Sequence, residues 1–403
     1  MEIKAQEIEE EFNKLMSKLG PVFFSTKGFM NAKNYIRGLL GPVERKNGWQ
    51  MSEYLCEGTP YKLQHFLYSG EFSADEMRDI GRKYVEENLG EDDGIMVVDD
   101  TGIIKQGKKS CGVQRQYSGS MGKVGNCQIG VFLTYASKKG HAPIDRRLYM
   151  PESWIGDEKR LKEAGVPEGL KFQTKPQMAL EMIKEATAAG VSYNWVTGDC
   201  AYGDYEEIRQ WLEEKGKNYV MCVSRKEYIW DGSKQVKVGD IVDLVKALPE
   251  DEWFEASCGD GSKGARVYEW ITIELKENNQ AKSKAVDFKQ WSMLVRRSKS
   301  DKTDVQAYIC YAPKVTPETK FVEVAGTRWT VETCFKESKG EVGLDQYEVR
   351  SYNGWYKHIT FACIALAFLT VLSSNSFDTK SMQEHNPSTS SLEDFKKKRN
   401  LRV

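Results

Sequence analysis

The sequence predicts an α/β protein in which helices flank a mixed five-stranded sheet, with a helical segment before it and a β-rich insertion within it. Three observations lead there. The hydrophobic period changes at Gly94, where helical spacing gives way to short apolar runs. Those runs follow the order strand, strand, strand, helix, strand, helix, strand. Then residues 225–305 turn charged, glycine-containing and rich in tryptophan and β-formers, before the earlier pattern resumes.

Residues 1–88 read as short amphipathic helices. Glu2 to Leu19 carries Ile8, Phe12, Leu15 and Leu19 on one face, and further pieces follow at 33–40, 49–55, 60–67 and 75–89. Arg37, Arg45 and Lys46 make the connections basic, as a DNA-binding helical domain would need. The first core part spans 89–224. Ile95 to Val98 is an apolar strand that ends in Asp99 and Asp100. Strands at 127–135 and 144–150 follow, then a helix at 175–189, a strand at 193–197 running into Asp199, a helix at 204–215 and a strand at 219–223. Helical connections of this kind join parallel strands. Parallel neighbours would bring Asp99, Asp100 and Asp199 to one edge of the sheet. The insertion, 225–305, holds Trp230, Trp253, Trp270 and Trp291. The second core part, 306–373, opens with a strand at 306–311 and a helix started by Thr316 and Pro317. A helix over 327–340, ended by a left-handed turn at Gly340, and a buried helix at 355–372 complete it. Residues 374–403 are Ser/Asn/Lys-rich, aperiodic and expected to be disordered.

Composition narrows the chemistry. The net charge of −1 announces no bulk attraction to nucleic acid, so any such contact rests on local patches. One patch is plain: residues 103–123 contain Lys105, Lys108, Lys109, Arg115 and Lys123 and no acid. The nine cysteines form no C-x-x-C pair, which fits a reducing cytoplasm and excludes a zinc-ribbon site. The four histidines are far apart in sequence, against zinc hydrolases and histidine triads. The stretch SGSMGK lacks phosphate-loop spacing, which excludes an NTPase and a nucleotide cofactor. The apolar run 359–372 is too short to span a bilayer.

Within 327–340 the charges are ordered. At about 100° per residue, Arg328, Glu332 and Lys339 fall on one stripe, with Lys336 at its border and Val331, Cys334, Phe335 and Ser338 on the adjacent face. Such a stripe is ordinarily an ion-pair ladder, and an acid at a strand end is ordinarily a turn residue. Together they suggest more. Carboxylates of Asp100, Asp199 and Glu332, if gathered, would need cations, and hard oxygen ligands select Mg²⁺ or Mn²⁺. Two ions about 3.5–4 Å apart serve in-line phosphoryl displacement. Arg328, Lys336 and Lys339 would then grip phosphates, and the basic loop would contact a duplex.

The segments VVDDTGIIKQGKKSCGVQRQYSGSMGKVGNCQIGVFL, WVTGDCAYGD and RWTVETCFKESKGEVGLDQYEVRSYNGWYKHIT resemble, in that order, bacterial insertion-sequence transposases of the DDE class, in particular the insertion sequence 701 family. These are related to the insertion sequence 4-like cut-and-paste enzymes. The similarity runs from Tyr35 to Leu372. It implies an RNase H-like catalytic core with a β-rich insertion before the last acid, and DNA transposition with divalent metal at two ions per site. It implies Asp199 and Glu332 as second and third acids, and as first acid Asp100, which directly precedes Thr101, or alternatively Asp99. Related enzymes carry Tyr-x-x-Arg-x-x-x-Glu-x-x-x-x-x-x-Lys. Arg328, Glu332 and Lys339 fit, whereas Ala325 stands at the tyrosine. The implied partners are double-stranded DNA, at terminal inverted repeats and target, and a second copy of the chain in the DNA complex. The implied location is the bacterial cytoplasm, at the nucleoid. A catalytically silent DNA-binding descendant and a hydrolysis-only nuclease are the other readings.

Overall fold

The computed structural model describes residues 5–119, 122–230, 234–261, 264–275 and 289–384. Five helices come first: α1 (Ala5–Leu19), α2 (Thr26–Leu40), α3 (Gly48–Tyr54), α4 (Tyr61–Ser69) and α5 (Ala74–Leu89). Ser25, Asn47 and Ser73 cap α2, α3 and α5 by accepting backbone N–H groups. The core follows, with β1 (Ile95–Ile104), β2 (Gln114–Ser118), β3 (Lys123–Ser137), β4 (Gly140–Leu148), α6 (Glu152–Ile155), α7 (Glu158–Glu163), α8 (Lys175–Ala188), β5 (Trp195–Gly198), α9 (Cys200–Gly203), α10 (Glu206–Glu214) and β6 (Asn218–Val223). The insertion contributes β7 (Tyr228–Trp230), β8 (Gln235–Lys237), α11 (Val238–Lys246), β9 (Phe254–Gly261), β10 (Gly264–Leu275) and β11 (Lys289–Arg297). Then come β12 (Val305–Pro313), α12 (Glu318–Gly340) and α13 (Tyr352–Glu384).

The core strands lie in the order β4-β3-β1-β5-β6. β3 runs antiparallel to β1 and β4, while β5 is parallel to both β1 and β6. This is the RNase H-like arrangement, reached from the antiparallel strands β1, β3 and β4, with β2 folded back on the start of β3, and two helical crossovers. The sheet does not stop there. β12 adds antiparallel to β6, and β11, β10 and β9 continue it, so that the β-rich insertion extends the core sheet, ten strands in all among the described residues. The insertion tryptophans mostly pack: Trp253 and Trp270 are buried, and Trp291 Nε1 donates to Glu213 at 2.9 Å.

The helical segment expected over residues 1–88 shares its core with the C-terminal helix. Phe12 meets Phe368 with ring centroids 5.8 Å apart, and Tyr35 packs on Phe361 at 5.0 Å. The Tyr35 hydroxyl and the buried His358 Nδ1 are 2.7 Å apart. Asp145 of β4, fully buried, accepts from Arg82 at 2.8 Å and Arg78 at 3.0 Å, both on α5. α13 is therefore a central helix. Its stretch Tyr352–Asn375 is long and apolar enough to cross a membrane, yet 78% of the apolar window is buried inside the protein. The tail expected over 374–403 differs in its first part, since α13 runs on to Glu384; residues 385–403 lie outside the described residues.

Two local expectations are corrected. The helices expected before and within 327–340 are one, α12, whose N-cap is Pro317 with no side-chain cap bond. The helix also passes through Gly340 without a left-handed turn; that conformation falls at Gly343, φ 64°. A side chain at Gly343 would collide with Lys46, so close packing as well as φ requires glycine there.

Candidate active site

The site is built on the middle of β1 and the end of β5. Val98 pairs with Gly198, so the aspartates one residue further on each strand become neighbours. Side chains alternate along β1. Asp99 and Thr101 face α12: Arg328 Nη1 lies 3.9 Å from Asp99 Oδ2, and Lys339 Nζ donates to Thr101 Oγ1 at 2.8 Å. Asp100 faces the other way, toward α8 and α9. Its Oδ1 accepts from Lys175 Nζ at 2.8 Å and from the Tyr202 hydroxyl at 3.0 Å. Asp199 is the N-cap of α9 and accepts from Ala201 N at 2.9 Å. α9 sits tightly on β6, because Gly203 leaves room for the Cys222 carbonyl, which a Cβ would meet at 1.7 Å.

Glu332 is exposed on α12 and bound to Arg328 at 3.4 Å, one turn away. The apolar face expected beside it is there: Val331, Cys334, Phe335 and Ser338 are all buried. Arg328 thus bridges Asp99 and Glu332. Burial disfavours its charge, but Asp99 and Glu332 more than compensate and hold its pKa above the usual value. Burial also acts on the acids. It pushes the Asp99 carboxyl up to about 7, helped by the charges of Asp199 and Asp100. Asp199 is raised as well, by burial and then by Asp100, against the pull of Ala201 N–H, Arg328 and Lys175.

Asp99 and Asp199 are therefore buried and crowded enough to resist ionising, which is the electrostatic deficit a divalent cation relieves, and their hard oxygens suit Mg²⁺ or Mn²⁺. Among the described residues, however, no three His, Cys, Asp or Glu side chains are grouped as an ion-holding cluster. Protein cations take up the carboxylate oxygens instead, Lys175 on Asp100 and Arg328 between Asp99 and Glu332.

The predicted basic residues divide into two sets. Lys108, Lys109, Arg115, Lys123 and Lys336 are exposed. On the β2–β3 hairpin, Arg115 and Tyr117 stand opposite Asn126 and Val124, and Tyr117 is 63% exposed. Lys105 and Lys339 are engaged by the protein. Lys105 Nζ lies over the Tyr347 ring at 3.5 Å and donates to its carbonyl, and burial lowers its pKa to about 8 despite Asp345 and Glu348. Ala325 is buried, and the adjacent Gly326 packs so closely on β9 that a Cβ would lie 2.2 Å from the Cys258 carbonyl. The position of the tyrosine of related enzymes is therefore a buried one here, next to the contact of α12 with β9. Lys175 and Tyr202 were not predicted. Tyr202 stands in the matched segment WVTGDCAYGD, but Lys175 reads in sequence only as the first residue of a helix.

A family model described as DDE superfamily endonuclease matches residues 21–238, more than half of the chain. The chain belongs to the DDE superfamily. A second model, the transposase DDE domain, matches residues 175–368. The chain is 23% identical over 336 residues to the probable transposase for insertion sequence element IS701 of Microchaete diplosiphon, across 82% of this chain and 80% of that one. These findings place it among the DDE transposases of insertion sequences. A cryo-EM structure of the piggyBac transposase synaptic complex with hairpin DNA aligns with TM-score 0.44 and 11% identity, covering 88% of this chain and 66% of that one.

Proposed function

We propose that this DDE transposase cuts DNA at the ends of its element and joins the ends to target DNA, using Asp100, Asp199 and Glu332 as ligands of divalent metal, Mg²⁺ or Mn²⁺. The observation that carries this reading is the raised Asp99 and Asp199 carboxyls beside Asp100, with Arg328 of α12 standing between Asp99 and Glu332. Asp100 is the first acid in this reading because it directly precedes Thr101. Asp99 lies beside it on the α12 face and tunes Arg328.

Bound metal would activate the attacking water or 3′-hydroxyl and stabilise the leaving oxygen. The chain supplies the rest. Asp199 is oriented by the α9 N-terminus, and Glu332 reaches the site from a helix anchored by its buried face. Arg328 can pass from Glu332 to a phosphate once the acids hold metal, a planar fork suited to such oxygens. Lys336 on α12, and Lys108, Lys109, Arg115 and Lys123 at the β2–β3 hairpin and the loop before it, are exposed and available to a DNA backbone. Lys339 acts by tying α12 to Thr101 and Gly102. Two copies of the chain would hold the two element ends.

The test is cleavage of DNA carrying the element's ends in Mg²⁺. The wild-type protein cuts and Glu332→Gln and Asp100→Asn do not, while all three bind the DNA. Binding without cutting by the wild type would instead indicate a silent DNA-binding protein, and cutting without joining a nuclease.

A further inference from the structure

Lys175 occupies an electrostatically unfavourable place. It is the first residue of α8, where the helix dipole disfavours a cation. The backbone there is fixed: Thr174 and Gln177 form a reciprocal capping box, with Pro176 in the first turn. What the ammonium gains is Asp100, at 2.8 Å, on the same oxygen that takes the Tyr202 hydroxyl. Both side chains are within reach of solvent, 30% exposed for Lys175 and 18% for Asp100. Tyr202, by contrast, is fully buried and neutral, and donates whatever else Asp100 binds.

We infer that Lys175 is a built-in counterion that holds Asp100 in the metal-free enzyme and must be displaced from it when divalent metal binds. The inference rests on the reading of Asp100 as a metal ligand. A tethered cation on a ligand oxygen competes with the incoming ion, so the measured affinity is the intrinsic affinity multiplied by the fraction of molecules in which Asp100 is unpaired. For a partly exposed pair the competition corresponds to roughly three- to fivefold. Lys175 thereby neutralises Asp100 when no metal is present and opposes loading of the centre at low metal.

The test is Mn²⁺ titration of the full-length protein without DNA, with free Mn²⁺ followed by electron paramagnetic resonance. Lys175→Met should tighten the Mn²⁺ dissociation constant about three- to fivefold. Lys175→Arg, which keeps the cation, should bind like wild type. So should Lys171→Met, which removes an exposed charge from the loop before α8 and controls for the general field. Unchanged or weaker Mn²⁺ binding in Lys175→Met, or equal tightening in Lys171→Met, overturns the inference while leaving the metal centre standing. Wild-type binding no better than that of Asp199→Asn overturns both.

Discussion

Replacing Asp99 by Asn should stabilise the metal-free protein, by an amount that grows from near zero at about pH 4 to its full value above about pH 7. In the folded chain burial and the charges of Asp199 and Asp100 push Asp99 to about 7, from the ordinary 3.8. Between those values the folded state holds a proton that the unfolded state has lost. Stability therefore falls as pH rises from about 4 to about 7 and is level above it. At 1.36 kcal/mol per pH unit the difference sets a ceiling of about 4 kcal/mol at pH 8, shrinking toward zero near pH 4. Asn keeps the shape and removes the charge. Arg328 loses its contact with Asp99 at 3.9 Å but keeps Glu332 at 3.4 Å, which offsets part of the gain. Thermal melts in EDTA should show the variant melting up to about 5 °C above wild type at pH 8, with little difference at pH 4.5. Added Mg²⁺ should narrow the gap at pH 8, since metal relieves the same repulsion. A variant that melts at or below wild type at pH 8 would refute the claim that the acids are crowded and under-neutralised.

Other perturbations test the frame around the site. Asp145→Ala leaves the guanidinia of Arg82 and Arg78 without their buried partner and should cost about 3–5 kcal/mol, read as a large fall in melting temperature. Gly326→Val drives a side chain into the Cys258 carbonyl, so α12 must part from β9; melting should fall by the equivalent of about 1–3 kcal/mol, and cleavage with it. Removing Arg115 and Lys123 together should lower the salt dependence of DNA binding by about two phosphate contacts, measured as the slope of log affinity against log salt. Lys105→Met should leave that slope unchanged and lower stability, because its ammonium already serves Tyr347.

Much of the core was legible because its signals are local. Short apolar runs ending in acids mark buried strands: β5 ends directly before Asp199, whereas β1 does not end at Asp99 and Asp100 as expected but runs on to Ile104 with both acids at its middle, because β3 pairs it along its whole length. The stripe on α12 was legible from helical spacing, as was its buried face. What the sequence hid depends on distant partners. Nothing local says that β12 pairs with β6, so the insertion read as a separate block rather than as more of one sheet. The helices of residues 1–88 looked independent because their partner, α13, lies at the far end of the chain. Lys105 and Lys123 read alike in a basic run, yet only Lys105 has an aromatic ring and a carbonyl waiting. Lys175 was invisible because its role requires Asp100, brought to it by the crossover between β4 and β5. The motif favoured Asp100, directly before Thr101, with Asp99 as the alternative; strand alternation sends the two to opposite faces, Asp99 toward α12 and Asp100 toward α8 and α9.

The central claim is that Asp100, Asp199 and Glu332 form one metal centre. The most direct measurement is anomalous scattering from crystals of the protein with Mn²⁺ and a DNA end. The account predicts Mn²⁺ density touching all three carboxylates, with Lys175 withdrawn from Asp100 and Arg328 turned toward phosphate. Mn²⁺ elsewhere, or Lys175 and Arg328 unmoved with the DNA in place, would contradict it.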